Sequence, residues 1–164
     1  MIVKDAMVVI HLAKITLLEK SCQFFKQVVI PEAVYREILE GKVRGHEDAV
    51  LVEELVKAGR LGVQKVRNRR LLRRAAEFNI RRGEAEALAL YWQENANYLA
   101  SDDDNLRGKR TLLDIRLIGT PAIILRLYQA GVIEKDKFSQ SLNELRRIGW
   151  FSNVVIDKIL MEAK

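Results

Sequence analysis

Val28-Val29-Ile30-Pro31-Glu32-Ala33-Val34-Tyr35-Arg36-Glu37-Ile38 is the stretch that decides the fold. Three β-branched apolar residues in a row read as a short strand buried on both faces. Pro31 pushes Ile30 into extended backbone and suits the opening turn of a helix. Beyond it, Val34, Glu37 and Ile38 share one helical face, while Glu32, Arg36 and Glu40 form a second stripe spaced for exposed ion pairs. The chain therefore passes from a buried strand directly into a helix, the unit that builds a parallel sheet covered by helices when it is repeated.

The same change of period recurs on either side. Upstream, residues 1–5 read as a buried strand, 7–13 as an apolar helix and 15–21 as a second short helix, with Val28-Val29-Ile30 as the strand contained in Phe24 to Ile30. Gly41 is expected to end the helix opened by Pro31. Downstream, 46–58 is amphipathic through Val50, Leu51, Leu55 and Val56, and Gly59 closes it. Strands are expected at 61–66, 98–101 and 115–118, with helices at 69–78, from Gly83 to Gln93, and from Asp104. Gly119-Thr120-Pro121 starts a helix, with Thr120 as its N-cap, that ends at Gly131. Helices near 135–147 and 152–162 finish the chain. The expected architecture is α/β: a three-layer α/β/α fold with a parallel sheet, one domain over residues 1–164, and 135–164 as a C-terminal helical extension.

The 164 residues carry a net charge of +6, with 49% hydrophobic and 30% charged residues, which suits one folded domain with a sizeable core and excludes a disordered chain. No apolar run reaches the length of a membrane span. Met1-Ile2-Val3-Lys4-Asp5 puts an acid where a signal peptide would carry basic residues, and Cys22 is the only cysteine, so a cytoplasmic protein without disulfides is expected. Eight basic residues lie between Lys65 and Arg82 against the single acid Glu77. They read either as a solvated helix face or as a surface that tracks phosphates.

Four acidic positions stand out: Asp5, Glu37, Glu84 and the Asp102-Asp103 pair. Asp5 follows an apolar strand and precedes an apolar run, where a carboxylate is costly without a cation or a donor. Glu37 shares its face with apolar residues and is expected to point inward. Glu84 shares a side with Leu88 and Tyr91, and the helix N-terminus favours an acid at Glu84 or Glu86 alike. Asp102-Asp103-Asp104 supplies a cap and more, since one aspartate suffices for a cap. In open parallel sheets ligands bind beyond the carboxyl ends of the strands, and Asp5, Asp102 and Asp103 all belong there. Carboxylates meeting at one edge suit Mg²⁺ or Mn²⁺, held partly through water; whether one ion binds or two stays open.

The order of these motifs resembles the PIN-domain ribonucleases: Asp5 in Asp-Ala-Met-Val-Val-Ile-His-Leu-Ala-Lys (5–14), Glu37 in Pro31 to Ile38, Gly83-Glu84-Ala85-Glu86-Ala87, then Ser101-Asp102-Asp103. Gly119-Thr120 and the helix after it are similar to a prokaryotic subgroup related to VapC-type toxins. The resemblance implies a five-stranded parallel sheet and cleavage of RNA dependent on Mg²⁺ or Mn²⁺. Asp5, Glu37, Glu84 and Asp103 match the family's four acidic positions and are the catalytic candidates. Asp5, Glu84, Asp102 and Asp103 are the candidate metal ligands, with Ser101 and Thr120 in support. RNA contacts are assigned to Arg69, Arg70, Arg73, Arg74, Arg107 and Arg110. The subgroup further implies self-association as a homodimer or higher oligomer, and an antitoxin protein as partner. Two positions depart from it: Met7 stands where many members carry Ser or Thr, and Glu84 replaces the Asp more usual in toxins.

Other candidates carry less. His11 and His46 have no partner at ligand spacing and read as structural. Cys22 has only Lys20 as a basic neighbour in sequence, and Trp92, Trp150 and Phe151 read as core or dimer contacts. No Walker-type phosphate loop is present. Two alternatives remain: a catalytically weak domain of this fold that binds RNA or a partner, and a metal-dependent phosphatase or receiver-like protein. The latter fits less, because a receiver wants two acids after its first strand.

Overall fold

Short apolar strands with no polar face need helices on both sides, and the structure supplies them. In the computed structural model, which describes residues 1–149 and 151–164, strands β1 (Ile2–Lys4), β2 (Val28–Pro31), β3 (Gly62–Gln64), β4 (Tyr98–Ala100) and β5 (Leu117–Ile118) form one all-parallel sheet in the order β3-β2-β1-β4-β5. Ile2 pairs with Val28 on one side and with Tyr98 on the other, and Lys4 pairs with Ala100. The order reverses at β1, so the crevice between the carboxyl ends of β1 and β4 is the switch point at which such sheets bind ligands.

Alternation along β1 divides the core. Ile2 joins one cluster with Leu12 of α1 (Ala6–Lys14), Leu18 of α2 (Leu18–Phe25), Val34 of α3 (Glu32–Val43), Val52 of α4 (Asp48–Lys57) and Ile124 of α8 (Thr120–Gln129). Val3 joins the other with Ala75 of α5 (Arg69–Glu77), Leu88 of α6 (Arg82–Gln93) and Leu106 of α7 (Asp104–Lys109). Each fully buried Leu, Ile or Val contributes about 1.5–3 kcal/mol. The first cluster also takes in Phe138, Leu142 and Leu145 of α9 (Lys135–Ile148), and Ile156 and Ile159 of α10 (Asn153–Glu162).

Local boundaries differ from expectation in three places. The second helix, expected near 15–21, runs to Phe25 as α2, where Phe24 and Phe25 pack edge to face, and the second strand starts at Val28 as expected. Helix α3 runs through Gly41 to Val43, and the turn is made instead by Gly45 at φ +86°. At α8 the N-cap is Gly119, in extended backbone, and Thr120 is already helical. Its hydroxyl is engaged elsewhere, as described below.

One core position breaks the apolar pattern. Lys4 is fully buried, donates to the Ser21 hydroxyl, and lies 5.7 Å from the Phe25 ring. Burial lowers its ammonium to about 8. Its other polar neighbour is the buried Cys22 thiol, which burial pushes up. The basic group nearest the cysteine is thus Lys4, brought in by the sheet, rather than Lys20.

Candidate active site

Asp5 is placed by two elements at once. Its backbone N–H donates to the Ala100 carbonyl at 3.0 Å, tying it to the end of β4. Its side chain caps α1, with Oδ1 accepting from the Val8 N–H at 2.9 Å. Oδ2 has no hydrogen-bond partner although the residue is only 2% exposed. Burial pushes the carboxyl up to about 7, and the charges of Asp102 and Glu84 act in the same direction, against the Ser101 hydroxyl and the Val8 N–H.

The three consecutive aspartates after β4 do three different things. Asp102 is a brace: Oδ1 accepts from the Thr120 N–H at 2.7 Å, and Oδ2 accepts from the Thr120 hydroxyl and from His11 Nδ1–H at 2.8 Å. Bonds to a charged group contribute about 1.5–3 kcal/mol each, so Asp102 locks the end of β4 to α1 and to the start of α8. Close approach is needed here, since a Cβ on Gly119 would lie 3.0 Å from Asp102 Oδ1. Asp103 caps α7 by accepting from Leu106 N–H at 2.7 Å, and its own N–H donates to the buried Ser101 hydroxyl at 3.1 Å. Asp104 is exposed and pairs with Arg107 at 3.3 Å.

Glu84 stands in the first turn of α6, where the helix dipole favours it, and faces a cleft of about 420 Å³ shared with Asp103, Arg81, Arg82 and Asn105. The loop before α6 holds Asn79 at φ 57°, and Arg82, the first residue of α6, is at φ 54°. Left-handed backbone is tolerated by Asn but costs an Arg about 1–2 kcal/mol, strain of the kind stored around functional sites. Glu37 is exposed rather than turned inward, yet its Oε2 lies so near α6 that a Cβ on Gly83 would sit 3.1 Å away. Partial burial raises its carboxyl, Glu84 and Glu40 add to the effect, and Arg82 opposes it.

His11 has a partner that its sequence neighbours do not reveal. It lies on the apolar face of α1 with no acid at helical spacing, but the fold brings it to Asp102, 91 positions away. The Phe151 ring meets its other side edge-on, with centroids 5.3 Å apart. His46 stays apart, packed near Gly41. Met7, on the exposed side of the first turn of α1, is 40% exposed. Of the six arginines assigned to RNA, Arg69 and Arg73 line a groove beside α3, Arg70 is exposed, and the Arg74 guanidinium lies 4.3 Å from the Trp92 ring centre. Arg107 and Arg110 line a separate hollow between β5 and α10. Phe151 and Trp92 both pack within the chain, and Trp150 lies outside the described residues.

Parallel strands in this order, acids after the first and fourth strands, and a Gly-Glu start to the helix before the fourth are what the chain brings to one edge. Its sequence matches the family model DUF3368, a PIN domain, over residues 1–164. The chain belongs to the PIN-domain family. PIN domains are typically nucleases and generally use divalent metal ions. Comparison with curated proteins and with solved structures gave no significant match. In this PIN domain the carboxyl edge of the sheet is fit for a hard cation: an orphaned, buried carboxylate oxygen on Asp5 faces further negative charge from Glu84 and Asp102. Among the described residues, no three Asp, Glu, His or Cys side chains crowd closely enough to enclose an ion. Also among the described residues, no helix is long and apolar enough to cross a membrane.

Proposed function

We propose that this PIN domain is a divalent-metal-dependent endoribonuclease whose working residues are Asp5, Glu84 and Asp103, with Glu37 at the rim and Asp102 as their brace. The observation that carries the reading is the unpaired Oδ2 of Asp5, buried beside other carboxylates at the switch point of the sheet. A buried carboxylate beside other acids, with only the Ser101 hydroxyl and the Val8 N–H to offset its charge, is costly when ionised and is relieved by a cation. Asp5, Glu84 and Asp103 would hold Mg²⁺ or Mn²⁺ together with water. Such an ion, when bound, lowers the pKa of water and offsets charge on a phosphate.

The protein side chains supply the rest. Asp102, consumed by Thr120 and His11, keeps Ser101 and Asp103 in place and is the least available of the acids for a ligand. Arg81 and Arg82 stand in the same cleft as Glu84 and Asp103, where guanidinium groups can bind the non-bridging oxygens of the scissile phosphate. Asp5, poised near neutrality, can hold a proton at Oδ2 when no cation is present.

Cleavage of single-stranded RNA by the purified protein in Mn²⁺, stopped by EDTA and absent from Glu84→Gln, is the expected outcome; cleavage insensitive to EDTA defeats the proposal. A second reading, a PIN domain that binds RNA or a partner with weak catalysis, is favoured by one feature: exposed Met7 provides no hydroxyl beside Asp5. Restoring it with Met7→Ser raises cleavage under the first reading modified by this defect and changes nothing if turnover is already full. A role as the toxin of a toxin–antitoxin pair, a homodimeric state and a cytoplasmic location belong to the same proposal and rest on the resemblance to VapC-type proteins.

A further inference from the structure

The basic stretch from Lys65 to Arg82 is not one surface. Arg69 and Arg73 turn toward α3, where with Arg36 and Lys65 they border a groove of about 490 Å³. All four are exposed, and none has a carboxylate within ion-pair distance among the described residues. Two acids, Glu32 and Glu86, share the groove, so its balance is two positive charges. Val66 and Leu72 give it an apolar floor.

The groove is pre-formed. A single side chain, Gln93 of α6, clips the loop that carries Lys65: its Oε1 accepts from the N–H groups of Arg67 at 2.7 Å and Asn68 at 3.3 Å, and its Nε2 donates to the Lys65 carbonyl at 3.3 Å. Asn68 in turn caps α5 by accepting from Arg70 N–H. The backbone that carries Lys65, Arg69 and Arg73 is therefore set before anything binds. The groove lies on the same edge of the sheet as the acids: Glu32 and Arg36 open the helix after β2 and Lys65 follows β3, beside the ends of β1 and β4 where Asp5 and Asp103 stand.

We propose that this groove is a second anchoring site for the RNA strand, holding phosphates of nucleotides that flank the bond cut at the acidic edge. The inference rests on the nuclease reading above. Cations around a groove on the same sheet edge as the acids are what a single strand needs along its backbone. The interspersed carboxylates decide between ligands. Glu32 and Glu86 can accept from base N–H groups and 2′-hydroxyls, donors that each uridine carries beside its phosphate.

The test uses poly(U) and the trinucleotide UUU as probes with wild-type protein, the double variant Arg69→Gln/Arg73→Gln, and Gln93→Ala. Fluorescence anisotropy gives the salt dependence of poly(U) binding, and initial rates give KM and kcat for both lengths. For the double variant the slope of log K against log salt becomes shallower by about 1.4, at about 0.7 per lost contact on a single strand. Its KM for poly(U) rises while kcat and UUU cleavage hold. Gln93→Ala, with every cation retained, weakens poly(U) binding in the same direction. An unchanged slope, or equal losses on poly(U) and UUU, overturns the proposal. Poly-aspartate binding as tightly as poly(U), and lost in the double variant, assigns the groove to a protein partner and overturns the RNA assignment. If wild type binds poly(U) with the groove-dependent slope but cuts neither RNA, the groove stands and the nuclease reading fails.

Discussion

Replacing Asp5 by asparagine separates function from stability in opposite directions. Asn is as good an N-cap as Asp, so the bond to Val8 N–H and the start of α1 persist. What disappears is a carboxylate whose folded value, about 7, lies well above its ordinary 3.8. Between those values the folded state holds a proton at Asp5 that the unfolded chain has released, so folding stability falls as pH rises from about 4 to about 7 and then levels. At about 1.4 kcal/mol per pH unit, the full penalty above pH 7 is about 4 kcal/mol. Asp5→Asn carries no such penalty. In EDTA, urea unfolding across this pH range should show the variant several kcal/mol more stable than wild type at pH 8, and nearly equal to it at pH 4. Cleavage of RNA should be lost throughout. Added Mn²⁺ should narrow the gap, because an ion that binds only the folded, charged form stabilises wild type by mass action. Parallel pH profiles for the two proteins, or a variant less stable than wild type at pH 8, would refute the reasoning.

Other outcomes follow from single residues. Lys4→Met should stabilise the protein at pH 7, since a buried ammonium with only a hydroxyl partner is replaced by an apolar chain of similar volume; the gain, about 1–3 kcal/mol after leaving Ser21 unpaired, should shrink as pH climbs from about 8 to 10.5, where the folded wild type alone has lost its proton; thermal melts in that range check it. His11→Phe should lower stability by about 1–3 kcal/mol by removing one bond to buried Asp102, and should reduce kcat more than RNA affinity, as read by denaturation beside steady-state rates. Gly83→Ala should leave melting unchanged or raise it slightly, through higher helix propensity, while displacing Glu37; a rate loss without a stability loss is the signature to measure.

The parts of the fold that were legible in sequence are those set by local chemistry. Val28-Val29-Ile30-Pro31 announced a strand turning into a helix, and Gly59 and Gly131 both close helices at φ +70°. Asp5 and Glu84 were legible as site candidates because a strand end and a helix start put them at the ligand-binding edge. Contacts made by the tertiary fold were not legible. Nothing in Val8-Val9-Ile10-His11-Leu12 says that His11 meets an aspartate 91 residues on. Thr120 read as an N-cap from its type and the following proline, but Gly119 in extended backbone holds that position, and the hydroxyl is drawn to Asp102. The aspartate run read as surplus charge; it divides into a brace, a cap and a surface pair because each residue leaves β4 in a different direction. Glu37 shares a face with buried Val34 and Ile38 but stands at its margin on the wheel and stays exposed, with Oε2 near the start of α6. Buried Lys4 carried no local signal, because its partner Ser21 comes from a separate helix.

Calorimetric titration of Mn²⁺ into the metal-free protein bears most directly on whether acids from separate strands and helices act on one ion. Wild type should take up Mn²⁺ saturably, with uptake abolished in Asp5→Asn and strongly weakened in Glu84→Gln. Saturable uptake that survives both substitutions unchanged, or none in the wild type with RNA present, would contradict the account.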